Sequence, residues 1–153
     1  MSALFHLDSA AVASCDAVSK DQVFAALAAR FATVYGLQEN TVLEALEERE
    51  RLGSTGFGFG VAIPHARIEG IKRPVCVFFR LATAVAFDSA DGMPVELVFG
   101  LLSPAQSGAT HLHALAAISR MMRDEHMRDR LAAAPDDEAV YALLTSVSDR
   151  DAA

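Results

Sequence analysis

Hydrophobic residues in the first third of the chain recur with the period of an amphipathic helix. The run follows a capping box, in which the Ser19 side chain can accept from the Gln22 amide while the glutamine reaches back. It ends at Gly36, a residue type favoured just beyond a helix C-terminus. We therefore predict a helix between Ser19 and Gly36, with a buried face made by Val23, Phe24, Leu27, Phe31 and Val34.

The rest of the chain combines further helical patterns with short apolar runs that are typical of strands. A second helix is predicted to begin at a capping box, Thr41 to Glu44, and to end at Gly53. The predicted strands span residues 4–8, 61–63, 74–81 and 95–102, and the predicted later helices span residues 110–123, 124–133 and 136–147. Helices, then strands, then helices predict an α/β fold, a single-domain sandwich with a mixed central β-sheet and helices on both faces.

Composition and charge narrow the class of protein. The 153 residues are 52% hydrophobic and 22% charged, as in one globular domain. A net charge of −7 argues against a nucleic acid or an anionic membrane as partner. No secretory signal and no apolar run long enough to cross a bilayer is found, so we expect a cytoplasmic protein without membrane insertion. Cys15 and Cys76 belong to no CxxC pair, and we expect reduced thiols.

The most distinctive stretch is STGFGFGVAIPH, residues 54–65, which leads to His65. Three alternating glycines free the backbone to bring amides close to an anion. The spacing does not match a nucleotide-binding loop, because no helix is predicted to follow directly and the lysine of a P-loop is missing. Two interpretations remain open from the residues alone, an anion-binding loop and a tight turn that enters a sheet.

Two further side chains are candidates because they continue apolar helix faces. His111 shares a face with Leu115, Ile118 and Met122, whereas the spacing places His113 toward solvent. A buried structural histidine is the alternative interpretation of His111. Arg49 continues the apolar face of the second helix, which indicates either an anionic partner or an arginine whose stem runs out to solvent.

Three motifs taken together resemble a known family. Residues 48–67 (ERERLGSTGFGFGVAIPHAR), 87–104 (FDSADGMPVELVFGLLSP) and 110–115 (THLHAL) occur in the family's order and at its distances. The chain resembles the IIA domains of the fructose–mannitol branch of the bacterial phosphotransferase system, and among them the nitrogen-regulatory group. The resemblance covers a single domain at residues 4–148 and leaves residues 149–153 as a short C-terminal tail.

The resemblance implies a phosphoryl carrier. His65 is then the phosphoryl acceptor from an HPr-like phosphohistidine protein, His111 assists, and Arg49 stabilises the phosphate charge. The phosphate-binding groups that we expect beside them are Ser54, Thr55, Gly56, Gly58 and Gly60. The expected reaction needs no metal and no cofactor, and the family's regulatory targets point to a sensor kinase or a potassium transporter component as partner.

The chain departs from the family at two positions, and other functions remain open. Phe59 stands where the family usually has asparagine, and Ala66 where it usually has glycine after the histidine. One alternative is a IIA subunit of a fructose- or mannitol-type sugar transporter. Another is a binding regulator that acts without phosphorylation. A third is a metal-dependent hydrolase that uses His65, His111 and His113.

Overall fold

A computed structural model of the chain describes residues 4–152, and the side chains of residues 4–146. Within these described residues, six strands and five helices form one mixed α/β domain. In chain order the elements are β1 (His6–Cys15), α1 (Lys20–Tyr35), α2 (Glu39–Arg51), β2 (Gly56–Gly58), β3 (Val61–Ala62), β4 (His65–Ile68), β5 (Val75–Val85), β6 (Val95–Pro104), α3 (Ala109–Arg123), α4 (Glu125–Ala133) and α5 (Asp137–Ala152).

The sheet is built around its two longest neighbours, β5 and β6. These two strands pair antiparallel, while β1 lies parallel to β5 at one edge. On the far side of β6, β3 and β4 both run parallel to it, and β2 pairs antiparallel with β3. The strand order is therefore β1-β5-β6-β3-β2, with β4 beside β6.

Alternate residues of β6 face different helices. A Cβ added at Gly100 would lie 3.1 Å from the Leu27 side chain of α1, so this position faces α1 closely. Ser103, three residues on, points the other way and contacts His111 of α3. Because successive strand residues point to opposite faces, α1 and α3 cover opposite sides of the sheet. The predicted fold class, a mixed sheet with helices on both faces, is confirmed.

The predicted ends of α1 are confirmed in detail. The Ser19 hydroxyl accepts from the Gln22 amide at 3.2 Å, and the Gln22 side chain accepts from the Val18 amide at 2.9 Å. Gly36 adopts the left-handed conformation and donates to the Ala32 carbonyl. Local hydrogen bonding therefore sets both ends, as the residue types predict.

Two other helix ends were predicted wrongly. Helix α2 begins at Glu39 rather than at Thr41, and the Thr41 hydroxyl bonds to the Gln38 side chain instead of capping the helix. Helix α5 continues to Ala152, beyond the predicted end at residue 147, so the backbone of most of the predicted tail is helical. Residue 153 lies outside the described residues.

All four predicted strands are present; three of them run further than predicted, while β3 ends one residue before the predicted end at residue 63. The predicted strand at residues 4–8 is the start of β1, which runs to Cys15 at the sheet edge and contains a bulge. Strands β2 and β4 were not predicted, because they are only three and four residues long, and β2 also lies in the glycine-rich stretch. None of the described helices is long and apolar enough to cross a membrane.

The turn between β2 and β3 contains an unusual backbone. Phe59 and Gly60, its two central residues, both have positive φ, 60° and 78°. Such turns favour Asn-Gly because asparagine and glycine tolerate this region and most side chains do not. The family's usual asparagine therefore has a conformational reason, and Phe59 strains the backbone at this position. Phe59 is 57% exposed, and the Arg128 guanidinium lies over its ring, 4.6 Å from the ring centroid.

We predict that Phe59→Asn stabilises the protein by about 1 kcal/mol, since relief of left-handed strain outweighs one exposed cation–π contact. Urea unfolding of the two proteins measures the difference. Phe57→Asn is the matched control, because Phe57 is not at a positive φ and packs partly against the core, and it should destabilise. A Phe59→Asn protein that is less stable than the native chain would contradict the claim that the positive φ strains the backbone at Phe59.

Candidate functional site

His65 lies where the strand beside β6 is interrupted. Strands β3 and β4 follow the same edge of β6, and Pro64, which has no amide hydrogen, separates them. The break leaves the Ile63 carbonyl available, and the His65 Nδ1 lies 2.7 Å from it. Since a carbonyl oxygen only accepts, Nδ1 must carry a hydrogen. In a neutral ring this leaves the lone pair on Nε2.

The surroundings of His65 keep the ring neutral near pH 7. Burial lowers its pKa below the usual 6.5 and is the largest effect. The bond to the Ile63 carbonyl raises the pKa, the positive charge of Arg49 lowers it, and the Glu50 carboxylate raises it again. The net effect is a pKa below the ordinary value, so Nε2 is unprotonated and able to act as a nucleophile.

His111 stands directly beside His65, with 5.7 Å between the ring centroids. Its side chain is 6% exposed, which confirms the predicted buried face, and its Nδ1 lies 2.7 Å from the Ser103 hydroxyl. Burial, then the charge of Arg67, then His65 lower the pKa of His111 to about 4. His111 is therefore a neutral imidazole at pH 7.

Two arginines supply positive charge to this pair of histidines. Arg49, at the end of α2, donates to the Gly53 carbonyl at 2.9 Å and lowers the pKa of His65. Within residues 4–146 no carboxylate forms an ion pair with Arg49. Arg67 on β4 lowers the pKa of His111, and its guanidinium lies 3.4 Å from the Gly108 carbonyl. The site therefore holds cationic charge that faces two neutral rings.

The predicted phosphate-binding residues lie in the loop before His65, and several of their groups are already bonded. The Ser54 hydroxyl donates to the Phe87 carbonyl at 2.5 Å and accepts from the Gly56 amide. The Thr55 hydroxyl and amide both donate to the Glu50 carboxylate, at 2.5 and 3.1 Å. An anion that binds these groups must exchange with the protein oxygens now on them.

The glycines of this loop have a structural use as well. A Cβ at Gly56 would collide with the Ser89 hydroxyl, so glycine lets the 88–92 loop approach closely. Gly58 and Gly60 have positive φ and form the turn around Phe59, whose amide donates to the Asp91 carboxylate at 3.0 Å. The interpretation as a tight turn entering a sheet is therefore correct for the backbone of the loop.

A salt bridge anchors the loop to two helices. The Glu50 carboxylate, which binds Thr55, is 2.6 Å from the Lys20 ammonium of α1. Lys20 also lies over the Phe87 ring, 5.1 Å from its centroid. The Glu50 side chain is only 9% exposed, whereas that of Lys20 is 24% exposed, so the carboxylate that binds the loop is largely shielded from solvent.

Three residues at the site were not singled out by sequence reasoning. Arg67 could have been found from its spacing. It follows His65 by two residues, and side chains two apart on a strand point to the same face. Glu50 is next to Arg49, but its partners come from elements far apart in the chain. Ser103 is a polar residue at the end of an apolar strand, which indicates a special environment without saying which partner it meets.

The three histidines of the proposed hydrolase are not gathered at one point. His113 is exposed on α3, whereas His111, two residues before it, is buried against β6. Residues two apart lie on different sides of a helix. In the described part of the chain, no group of three or more His, Cys, Asp or Glu side chains is arranged to hold a metal ion.

Comparison with known proteins gives a consistent result. The model of the family described as "Phosphoenolpyruvate-dependent sugar phosphotransferase system, EIIA 2" matches residues 4–147. A nitrogen regulatory protein of Bradyrhizobium diazoefficiens is 44% identical over 126 residues, 82% of each chain. A fructose-specific EIIA component of Haloferax volcanii is 39% identical over 71% of this chain and 70% of its own.

The solved structures agree with the sequences. The crystal structure of the nitrogen regulatory protein IIA-Ntr from Neisseria meningitidis is similar to this fold with a TM-score of 0.85 at 34% identity. The alignment covers 90% of this chain and 95% of that one. Sequence, fold and the order of the three motifs all point the same way, and the chain belongs to the EIIA type 2 family of the phosphoenolpyruvate-dependent phosphotransferase system.

Proposed function

We propose that this chain is a phosphocarrier that accepts a phosphoryl group on Nε2 of His65 and regulates partners according to its phosphorylation state. The observation that carries the proposal is the 2.7 Å contact between the His65 Nδ1 and the Ile63 carbonyl, which leaves the lone pair on Nε2. The donor is a phosphohistidine on an HPr-like protein. Its P–N bond breaks as the P–Nε2 bond forms, and the donor imidazole leaves with the electron pair.

The surrounding groups have separate parts in this transfer. Arg49 offsets the negative charge that the phosphoryl group brings, and the absence of a carboxylate partner for it within residues 4–146 supports this role. His111 is a neutral neighbour that can donate a hydrogen bond to a phosphoryl oxygen. Further phosphate contacts come from the loop before His65, where Thr55 gives up its hydrogen bonds to the Glu50 carboxylate and donates to a phosphoryl oxygen instead. The proposed loop ligands are Ser54, Thr55, Gly56, Gly58 and Gly60. The transfer draws on no cofactor.

The proposed role is regulatory, in the cytoplasm, with a sensor kinase or a potassium transporter component as the target. The relative at 44% identity and the solved structure at 34% are both named nitrogen regulatory proteins, which favours this role. The fructose-specific relative at 39% identity favours a second candidate, a IIA subunit that passes its phosphoryl group to a sugar-specific IIB protein. Incubation of the labelled, phosphorylated chain with a purified fructose-type IIB domain distinguishes the two. Transfer of the label to the IIB domain supports the sugar-specific subunit, and retention of the label supports the regulatory role.

The acceptor is tested with labelled phosphoenolpyruvate and the upstream phosphotransfer proteins. The native chain should gain acid-labile phosphate, and His65→Ala should lower the labelling rate by at least about a hundredfold, because the nucleophile is gone. His113→Ala is the matched control, since it removes an exposed histidine of α3, and it should label like the native chain. Labelling of His65→Ala at the native rate would refute the assignment.

The two histidines should also titrate at low pH. By NMR of the ring protons, the midpoint of His65 should fall below 6.5 and that of His111 near 4, because burial disfavours both charged forms. Between pH 6.5, the ordinary histidine pKa, and the folded His111 pKa of about 4, the unfolded chain binds more protons at position 111 than the folded chain does. Stability should therefore fall as pH is lowered from about 6.5 toward 4.

The variant His111→Gln isolates this contribution. It removes the titrating ring while keeping a polar side chain, so its unfolding free energy should depend less steeply on pH across that interval than the native chain's does. Equal slopes in the two proteins, or a native His111 midpoint near 6.5, would contradict the buried neutral ring.

A further inference from the structure

Ser103 and the histidine pair are brought together by strand geometry. In the parallel pairing of β4 with β6, His65 lies beside Leu101 and Arg67 beside Ser103. Residues in register on neighbouring strands point to the same face, and so do residues two apart. His65, Arg67 and Ser103 therefore share the face of the sheet that the first turn of α3 covers, where His111 lies.

The contact between Ser103 and His111 is closed to water. Ser103 is fully buried, His111 is 6% exposed, and the Oγ–Nδ1 distance is 2.7 Å. Among the side chains that the structure describes, this is the hydroxyl's one hydrogen-bond contact. Burying a hydroxyl at the end of an apolar strand costs folding free energy unless the hydroxyl is hydrogen-bonded. The bond to His111 offsets this cost.

Burial decides which of the two groups donates. If His111 Nδ1–H donated to the serine, the hydroxyl hydrogen would be left in the interior without an acceptor, and such an orphan donor is costly. If the hydroxyl donates to Nδ1, both groups are satisfied. The second arrangement makes Nδ1 an acceptor and places the ring's one hydrogen on Nε2.

The geometry points to a positioning role for Ser103: we propose that its hydroxyl holds neutral His111 in the Nε2–H tautomer. The ring then offers a hydrogen-bond donor, and not a second lone pair, to a phosphoryl group on His65. This inference rests on the proposed function of His65. The two rings have opposite tautomers, because His65 donates from Nδ1 to a carbonyl while His111 accepts at Nδ1 from a hydroxyl.

A lone pair in place of this donor would repel phosphoryl oxygens. A positioned donor stabilises charge that develops during transfer, and the loss of one such bond slows a reaction by roughly tenfold or more. Ser103 acts only through the ring, so it is a positioning residue and touches no phosphoryl group itself.

The test combines the tautomer with the transfer rate, both on the full chain. Imidazole ¹⁵N chemical shifts of the unphosphorylated native protein should identify His111 as Nε2–H. In Ser103→Ala the Nδ1–H form should become populated, and the rate of phosphoryl uptake from the HPr-like donor should fall by roughly tenfold. Ser107→Ala is the matched control, because the buried Ser107 hydroxyl has no hydrogen-bond partner among the described residues, and both readouts should stay native.

A second pair of variants separates the hydroxyl from packing. Ser103→Thr and Ser103→Val add the same volume to the buried position and differ only in keeping or losing the hydroxyl. The threonine variant should retain the Nε2–H tautomer. It should take up the phosphoryl group faster than the valine variant by roughly tenfold, the factor expected for Ser103→Ala. Equal rates in the threonine and valine variants would overturn the positioning role.

The outcomes also separate this inference from the proposed function. A native chain that takes up no phosphoryl group refutes the function of His65, whatever the tautomer of His111. An Nδ1–H tautomer in the native chain overturns the role of Ser103, even if His65 is phosphorylated normally. An unchanged rate in Ser103→Ala overturns it as well.

Discussion

The site depends on one hydrogen bond, between the His65 ring and the carbonyl of Ile63, two residues before it. The bond exists because Pro64 interrupts the strand beside β6, so the Ile63 carbonyl turns out of the ladder and meets the ring at 2.7 Å. The proline thus does more than end a strand. By interrupting the strand it leaves the Ile63 carbonyl free to accept from the ring, and this bond sets which nitrogen keeps its lone pair.

Everything around the ring is consistent with a group that must stay neutral until it reacts. Burial keeps both histidines uncharged, and the cations beside them, Arg49 and Arg67, are held by backbone carbonyls. Neither arginine forms an ion pair with a carboxylate within residues 4–146, so their charge is available to an incoming anion. The carboxylate that acts on the pKa of His65, Glu50, is held by Thr55 and Lys20.

The sequence predicted the parts that local interactions control. The capping box and Gly36 of α1, the burial of His111 and the mixed sheet all follow from periodicity and turn chemistry. The predicted start of α2 was wrong because the residue before its first turn, Gln38, makes no side-chain capping bond and so gives no capping signature in the sequence.

The site could be predicted only in part. The glycine-rich stretch and the helix faces singled out His65, His111 and Arg49, the resemblance implied their roles, and the structure brings the three close together. The partner of His111 could not be found from the sequence, since Ser103 reaches it through a sheet register that no local pattern encodes. At Phe59 the local sequence is also a poor guide. The chain keeps the turn with two positive φ angles although it lacks the asparagine that such turns favour.

The bond between His65 and Ile63 is tested most directly by the position of the phosphoryl group on the ring. The full chain is phosphorylated with ¹⁵N-labelled histidine, and ³¹P and ¹⁵N NMR then identify the nitrogen bonded to phosphorus. We predict phosphorus on Nε2 of His65, with Nδ1 still protonated. Phosphorus on Nδ1 of His65, or on His111, would contradict the role of the Ile63 carbonyl.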